Sequence, residues 1–358
     1  MNEAAATRWA KPGALCRYVS ALFCALGLAK PTADLVAEAL VDADLEGIES
    51  HGIMLVPMYA ERIRAGSVSL ASEGRIVSDQ GSAIILDAMN ALGQVTAAQA
   101  VALVIARARV HALAAVAVRN GFHFGTAGRW ATAIAGQGQI GIVMSNTRPL
   151  MPAPGGAERV VGNNPLAIAL PTEGDIPVVL DMASSAGAMG KIRMAEAEGR
   201  PIPEGWATDA AGVPTTDPGA AIKGMLLPAG GPKGFGLAFM IDLLCGGLSE
   251  GAVGDAVRPL YGDAAEPYGC AHFFLAIEVA RFRALPGFAA AVAACAQRIR
   301  AAARAPGVAQ LFSPGEPAWR ARQVNKDRCP ISADTATKLE KLGASLGVSS
   351  AGIFQSQK

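Results

Sequence analysis

The stretch Gly136-Gln137-Gly138-Gln139-Ile140-Gly141 matches, letter for letter, the glycine pattern that cradles the pyrophosphate of a dinucleotide. That loop works because it leaves a strand and opens a helix, whose first amides then point at the phosphates. Here the order is reversed: residues 126–135 read as a helix before the glycines, and 140–145 as a strand after them. The stretch is therefore a turn, and it supplies no standard Rossmann site. A second segment, Gly187-Ala188-Met189-Gly190-Lys191-Ile192, lacks the spacing and the Ser/Thr of a phosphate loop.

Outward from that turn, the hydrophobic period switches repeatedly between strand and helix. Ile76 and Ile84-Ile85-Leu86 predict short strands, 94–111 an alanine-rich helix, and Ala114-Ala115-Val116-Ala117-Val118 a buried strand. Further strands are predicted at 166–170, 177–180 and 271–276, which makes the middle of the chain an α/β core. The ends read differently. Up to about residue 66 the pattern is helical, with one helix opened by Pro31 or Thr32 and closed by Gly47, and another from Pro57 to Gly66. Helices at 286–304 and 333–346 close the chain, the last packing back on the first ones. The turn-rich run 206–218 predicts a surface excursion. Gly230-Gly231-Pro232-Lys233-Gly234-Phe235-Gly236 predicts a loop that opens a helix at 237–248. Such a loop serves either an anion, with Lys233 pairing to it, or plain flexibility.

Composition narrows the function. The formal charge is +1 and charged residues make up 17% of the chain, so no field exists for nucleic acid or an anionic membrane. Six cysteines without CxxC or regular spacing suggest neither a zinc site nor a disulfide framework; they read as reduced, buried thiols of a cytoplasmic protein. Residues 18–29 follow basic residues as a signal peptide does, yet Pro31-Thr32-Ala33-Asp34 starts a helix directly afterwards, so the segment reads as a first core helix. No apolar run approaches a membrane span.

The candidate chemistry starts at Glu49-Ser50-His51-Gly52, between two predicted helices. It holds one of only four histidines. Histidine gives or takes a proton near neutrality, a hydroxyl beside it polarises the ring, and a glycine leaves room for a small molecule. The tetrapeptide alone serves equally as a loop histidine bonded to backbone. Polar residues also follow the strands: Asn120-Gly121-Phe122-His123-Phe124-Gly125, Asn146-Thr147-Arg148 and Asp181-Met182-Ala183-Ser184-Ser185. Ligands collect at such strand ends in open α/β sheets. His111 and His272, with no polar neighbours in sequence, read as structural.

Taken with Gly162-Asn163-Asn164-Pro165, Gly205-Trp206-Ala207, Pro214-Thr215-Thr216-Asp217-Pro218, Gly231-Pro232-Lys233-Gly234 and Pro314-Gly315-Glu316, these motifs resemble the type-2 malate/L-lactate dehydrogenase family, collinearly from about Leu15 to Leu346. The family also includes ureidoglycolate dehydrogenase and Δ1-piperideine-2-carboxylate reductase. The resemblance implies an α/β, non-Rossmann NAD(P)-binding sheet domain over 76–299. It implies a mainly helical substrate and dimer domain from 1–75 with 300–358, in a homodimer. It also implies His51 as general acid or base, with Ser50 and Asp181 as its relay. His123 and Asn163 are expected at the substrate. Contacts to NAD or NADP are expected from His123, Phe124, Gly125, Thr147, Asp181, Met182, Ala183, Lys233, Gly234, Pro314, Gly315 and Glu316, with no metal.

Two positions depart from the family. Relatives often carry Arg where this chain has Leu55, and that Arg grips the substrate carboxylate. Arg148 is the candidate replacement, a surface role being the other reading. Gly121-Phe122 replaces a polar pair and predicts a more apolar pocket wall. The expected reaction is hydride transfer between nicotinamide and a small 2-oxo/2-hydroxy acid or cyclic ketimine acid. The alternatives are a non-catalytic nicotinamide-binding relative and a hydrolase built on Ser50, His51 and Asp181, the latter disfavoured by the absence of a Gly-x-Ser-x-Gly elbow.

Overall fold

The computed structural model of the protein describes residues 7–356; the part of the helical reading that covers 1–6 lies outside them. Seven strands form the central sheet, in the order Arg75–Asp79, Ala83–Asp87, Leu113–Gly121, Cys270–Glu278, Gln139–Ser145, Leu166–Leu170, Val178–Met182. Only Ala83–Asp87 and Leu113–Gly121 run parallel, joined by the crossover helix Gly93–His111. Every other pairing is antiparallel. The opening hexapeptide behaves as read. The helix Ala127–Ala135 ends, Gly138 turns the chain at φ +80°, and the strand starts at Gln139. Gly141 is glycine because a Cβ there would lie 2.5 Å from Ala131 O, on the helix packed across the strand.

Strand alternation divides the core. Val116, Val118, Val143 and Phe274 face the helices Gly93–His111 and Ala127–Ala135, packing on Ala97, Ala100, Val104 and Trp130. Ala117, Met144 and Phe273 face the other way, onto Ile241 and Cys245. That second layer is the helix Pro232–Asp242, which begins five residues earlier than the sequence predicts. Lys233 therefore sits in a helical first turn instead of a glycine loop.

The two chain ends share a third core. Helices Pro12–Ala25, Lys30–Leu45, Val56–Ala65 and Ala333–Leu346 bury Leu15, Leu22, Leu40, Tyr59 and Leu339 together. They carry a small sheet that the sequence does not announce, with Thr7–Ala10 paired to Cys329–Ser332 on one side and Gln355–Ser356 on the other. Four-residue strands show no period, and their partners lie more than 300 positions away. The run predicted as a surface excursion is also partly internal. Ala207–Thr208 pairs with Pro214–Thr215 and Met225–Leu226, and Ala207 is fully buried. Among the described residues all six cysteines are free thiols, yet Cys295 is exposed, contrary to the expectation of burial. Among the described residues no helix is long and apolar enough to cross a membrane.

Candidate active site

The sheet register puts the polar strand ends on one edge. Gly121 pairs with Cys270, His272 with Ser145, Met144 with Leu166, and Leu166 with Met182. The carboxyl ends of Leu113–Gly121, Gln139–Ser145 and Val178–Met182 thus open together. Alternate antiparallel strands achieve here what the strand-end rule describes for parallel sheets.

His51 reaches this edge from the helical side. Two single 3₁₀ turns, Glu49–His51 and Ile53–Leu55, join the helices Lys30–Leu45 and Val56–Ala65. Below them lies Asp44, 4% exposed, whose Oδ2 accepts the amide of Ile53 at 2.8 Å. A Cβ on Gly52 would fall 2.1 Å from Asp44 Oδ1. The glycine expected to make room for a ligand instead makes room for this carboxylate. Burial, helped by the charge of Glu49 and opposed by the Ile53 amide, pushes Asp44 up to about 8. Ser50 Oγ lies 3.0 Å from His51 Nδ1. The imidazole keeps one edge open to solvent, yet loss of hydration lowers its pKa to about 4.

His123 comes from the sheet side, just beyond the strand Leu113–Gly121. Its ring centroid is 5.2 Å from that of His51. Tyr59 Oη is 2.7 Å from His123 Nδ1 and 3.2 Å from its carbonyl oxygen, and Gln94 Nε2 donates to Tyr59 Oη at 3.2 Å. Burial first, then the charges of His51 and His272, hold His123 well below its ordinary pKa. Both rings are therefore neutral at pH 7. His272 does have polar company, contrary to its sequence reading. It is fully buried between Ser145 Oγ at 3.0 Å and Phe122 O at 3.2 Å, and stacks on Phe124 at 4.4 Å. Phe122 is not a pocket wall either: 1% exposed, it packs edge-on to Tyr59 and Tyr268 in the core. Leu55 is likewise core, at 1% exposure.

Asp181 is the penultimate residue of the strand Val178–Met182, and its Oδ2 accepts Gly128 N at 2.8 Å, on the positive end of the helix Ala127–Ala135. Its surroundings strip hydration from the carboxylate and outweigh that bond, raising its pKa to about 6. Among the described residues it makes no hydrogen bond to His51, so a Ser50-His51-Asp181 triad is not assembled. Thr147 is fixed by Asn163 Oδ1 at 3.1 Å and by Asn164 Oδ1, which accepts its amide at 2.8 Å. Arg148 is half-buried beside them. Met182 and Ala183 are half-buried at the strand end, and Ser184 Oγ is buried without a partner. Gly234 is buried where a Cβ would lie 2.2 Å from Ala229 O, so loop packing accounts for it. The segment Pro314-Gly315-Glu316 runs along the edge strand, with Val179 N donating to Pro314 O at 3.1 Å. Glu316 is fully buried; hydrogen bonds from Arg320, Ser313 and Arg300 overcome its desolvation and hold its pKa low. Its side chain is engaged within its own segment.

The malate/L-lactate dehydrogenase family model matches residues 11–340. The chain belongs to the malate/L-lactate dehydrogenase family. It is 34% identical to a malate dehydrogenase of Pyrococcus abyssi over 93% of this chain and 94% of that one. It is 38% identical to the NAD(+) ureidoglycolate dehydrogenase of Escherichia coli K12 over 82% and 83%. The solved sulfolactate dehydrogenase of Methanocaldococcus jannaschii superposes with a TM-score of 0.90 at 33% identity, covering 95% of this chain and 98% of that one. As a dehydrogenase-family member the protein is an oxidoreductase. The residues present fit the nicotinamide dinucleotide that such a family implies. Ser184 Oγ lacks a partner at the strand end, and neither Lys233 nor Arg148 has a counter-charge among the described residues. No three-residue metal-binding cluster occurs among the described residues. Sequence reasoning missed Asp44, Tyr59 and Gln94, which look like ordinary helix positions until the fold brings them together, whereas Ser184 lay in the strand-end motif already singled out.

Proposed function

We propose that the protein is an NAD(P)-dependent dehydrogenase or reductase acting on a small 2-oxo/2-hydroxy acid or a cyclic ketimine acid, with His51 as the proton-transfer group. The observation that carries the reading is the pair of neutral imidazoles 5.2 Å apart at the edge where the strand ends converge. The dinucleotide supplies or removes a hydride when bound. His51, neutral in the free protein, is ready to take the hydroxyl proton in the oxidative direction. An anionic acid bound beside it raises the imidazole pKa, so the same ring holds a proton to give in the reductive direction. Ser50 Oγ restrains the His51 ring through Nδ1 and leaves Nε2 for substrate. His123, held by Tyr59, forms the fixed opposite wall, and Asn163 positions the Thr147 hydroxyl at the strand-end edge.

In this reading Asp181, Met182, Ala183, Thr147, Phe124, Gly125, Lys233, Gly234 and the Pro314-Gly315-Glu316 backbone line the dinucleotide. Arg148 meets the substrate carboxylate. The unit made of 1–75 and 300–358 serves substrate and dimer contacts, 76–299 holds the cofactor, and the enzyme works as a cytoplasmic homodimer. The test is a cofactor-oxidation and cofactor-reduction screen of the purified protein over 2-oxo acids, 2-hydroxy acids and cyclic ketimines, with both nicotinamides. Turnover of at least one acid is expected; no turnover with either cofactor across the panel would refute the reading.

A further inference from the structure

Every half-buried arginine among the described residues has a hydrogen-bond or ion-pair partner except Arg148. Arg129 pairs with Asp42, Arg159 donates to the carbonyls of Lys223 and Gly224, and the wholly buried Arg62 donates to those of Pro259, Leu260 and Glu266. A desolvated guanidinium without such partners is costly, so its retention asks for an anion from outside the chain. Burial, followed by repulsion from Arg159 and Arg193, lowers its pKa.

Arg193 is a solvent-exposed cation whose charge acts on Arg148. It lies one helical turn beyond Gly190 on Met189–Ala197, and a Cβ on Gly190 would sit 3.8 Å from Ser50 Cβ. The helix thus stands against the His51 turn. The Arg193 guanidinium has no ion pair or hydrogen bond among the described residues and rests over the Tyr261 ring, 6.0 Å from its centroid. Tyr261 belongs to the segment that Arg62 ties to the helix bearing Tyr59, and Tyr59 holds His123. Leu55, packed in the core, offers no cation from the helical side.

We propose that Arg193 acts with Arg148 as a two-guanidinium clamp at the rim of the His51–His123 cleft, selecting acids with two anionic groups over acids with one. This rests on the dehydrogenase reading above and names the residue that sets its charge selectivity. Arg148, on the rigid sheet edge, meets one anionic group. Arg193, on the outer helix, meets the second, with Tyr261 supporting its planar face.

The test is calorimetric titration of the wild-type protein and of Arg193→Met and Arg193→Lys with malonate, with acetate, and with NADH and NADPH. Kinetics with a doubly and a singly charged 2-oxo acid run alongside. Wild type is expected to bind malonate at least about tenfold tighter than acetate, a preference that shrinks with salt. Arg193→Met is expected to lose most of that preference, raising KM for the doubly charged acid more than kcat falls, and Arg193→Lys to restore part of it. An unaltered preference in Arg193→Met, or no preference in wild type, overturns the proposal. So does a loss confined to NADH or NADPH binding, which would assign the guanidinium to a cofactor phosphate. Retained malonate selectivity without turnover of any acid would refute the dehydrogenase reading alone and leave the clamp standing.

Discussion

The two neighbouring imidazoles are held by hydroxyls of different standing. His123 is gripped by neutral groups: the Tyr59 hydroxyl at 2.7 Å, with Gln94 behind it, while the adjoining Phe124 stacks on the buried His272. His51 is restrained at one nitrogen by the hydroxyl of the residue beside it. Its turn rests on an ionisable anchor, Asp44, beneath Gly52. Each ring is engaged at Nδ1 alone, and the difference lies in the partner: a buried tyrosine hydroxyl from another element for His123, an exposed hydroxyl from the adjacent residue for His51. In the reading proposed above, the proton moves on the helical side, at His51, and the sheet side, at His123, supplies geometry.

The harshest way to break that division is His51→Ala. Turnover of whichever acid the screen identifies is expected to fall by about 10²–10⁴-fold, the usual contribution of a positioned acid or base, while cofactor affinity stays within about twofold. Near-normal turnover in that variant would remove His51 from the chemistry. Tyr59→Phe probes the other side and is expected to do less. It leaves His123 Nδ1 without its buried partner, costing about tenfold in kcat/KM, or about 1.4 kcal/mol, and lowering Tm by a few degrees. If kinetics showed Tyr59→Phe to be as damaging as His51→Ala, the two sides would not differ in role.

How much of this was legible in the sequence follows from range. The reversed order of helix, glycines and strand at 136–141 is local, and so is the apolar run 114–118; both read correctly. The polar strand ends were legible for the same reason. The pairing of Thr7–Ala10 with Cys329–Ser332 was not, because four residues carry no period and the partner is at the far end of the chain. Tyr59 and Gln94 sit at helical spacing among apolar residues, where a core assignment is the natural one, and their convergence on His123 is a tertiary fact. Gly234 and Gly236 concealed a helix start that Pro232, well suited to a first turn, had marked. At Gly52 the residue type was right and its reason was not: the space it leaves is filled by Asp44 from the preceding helix.

The smallest expected effect sharpens the contrast through pH. Asp44, raised to about 8 by burial in the folded protein, holds a proton over a range where the unfolded chain, near the ordinary carboxylate value of about 4, does not. The folded state then binds more protons than the unfolded state, so this group's contribution to stability is fully present below about pH 4 and is lost as pH rises toward about 8. Asn at this position keeps an oxygen to accept the Ile53 amide and removes the titration. The difference in unfolding free energy between Asp44→Asn and wild type, measured by denaturant titration at several pH values, is therefore expected to move in favour of the variant across that window. Tyr59→Phe is expected to show no such trend over the same range, since burial places the Tyr59 titration far above it. A pH-independent difference for Asp44→Asn would mean that the carboxylate beneath the His51 turn is ionised throughout, and that the two sides of the cleft are anchored alike.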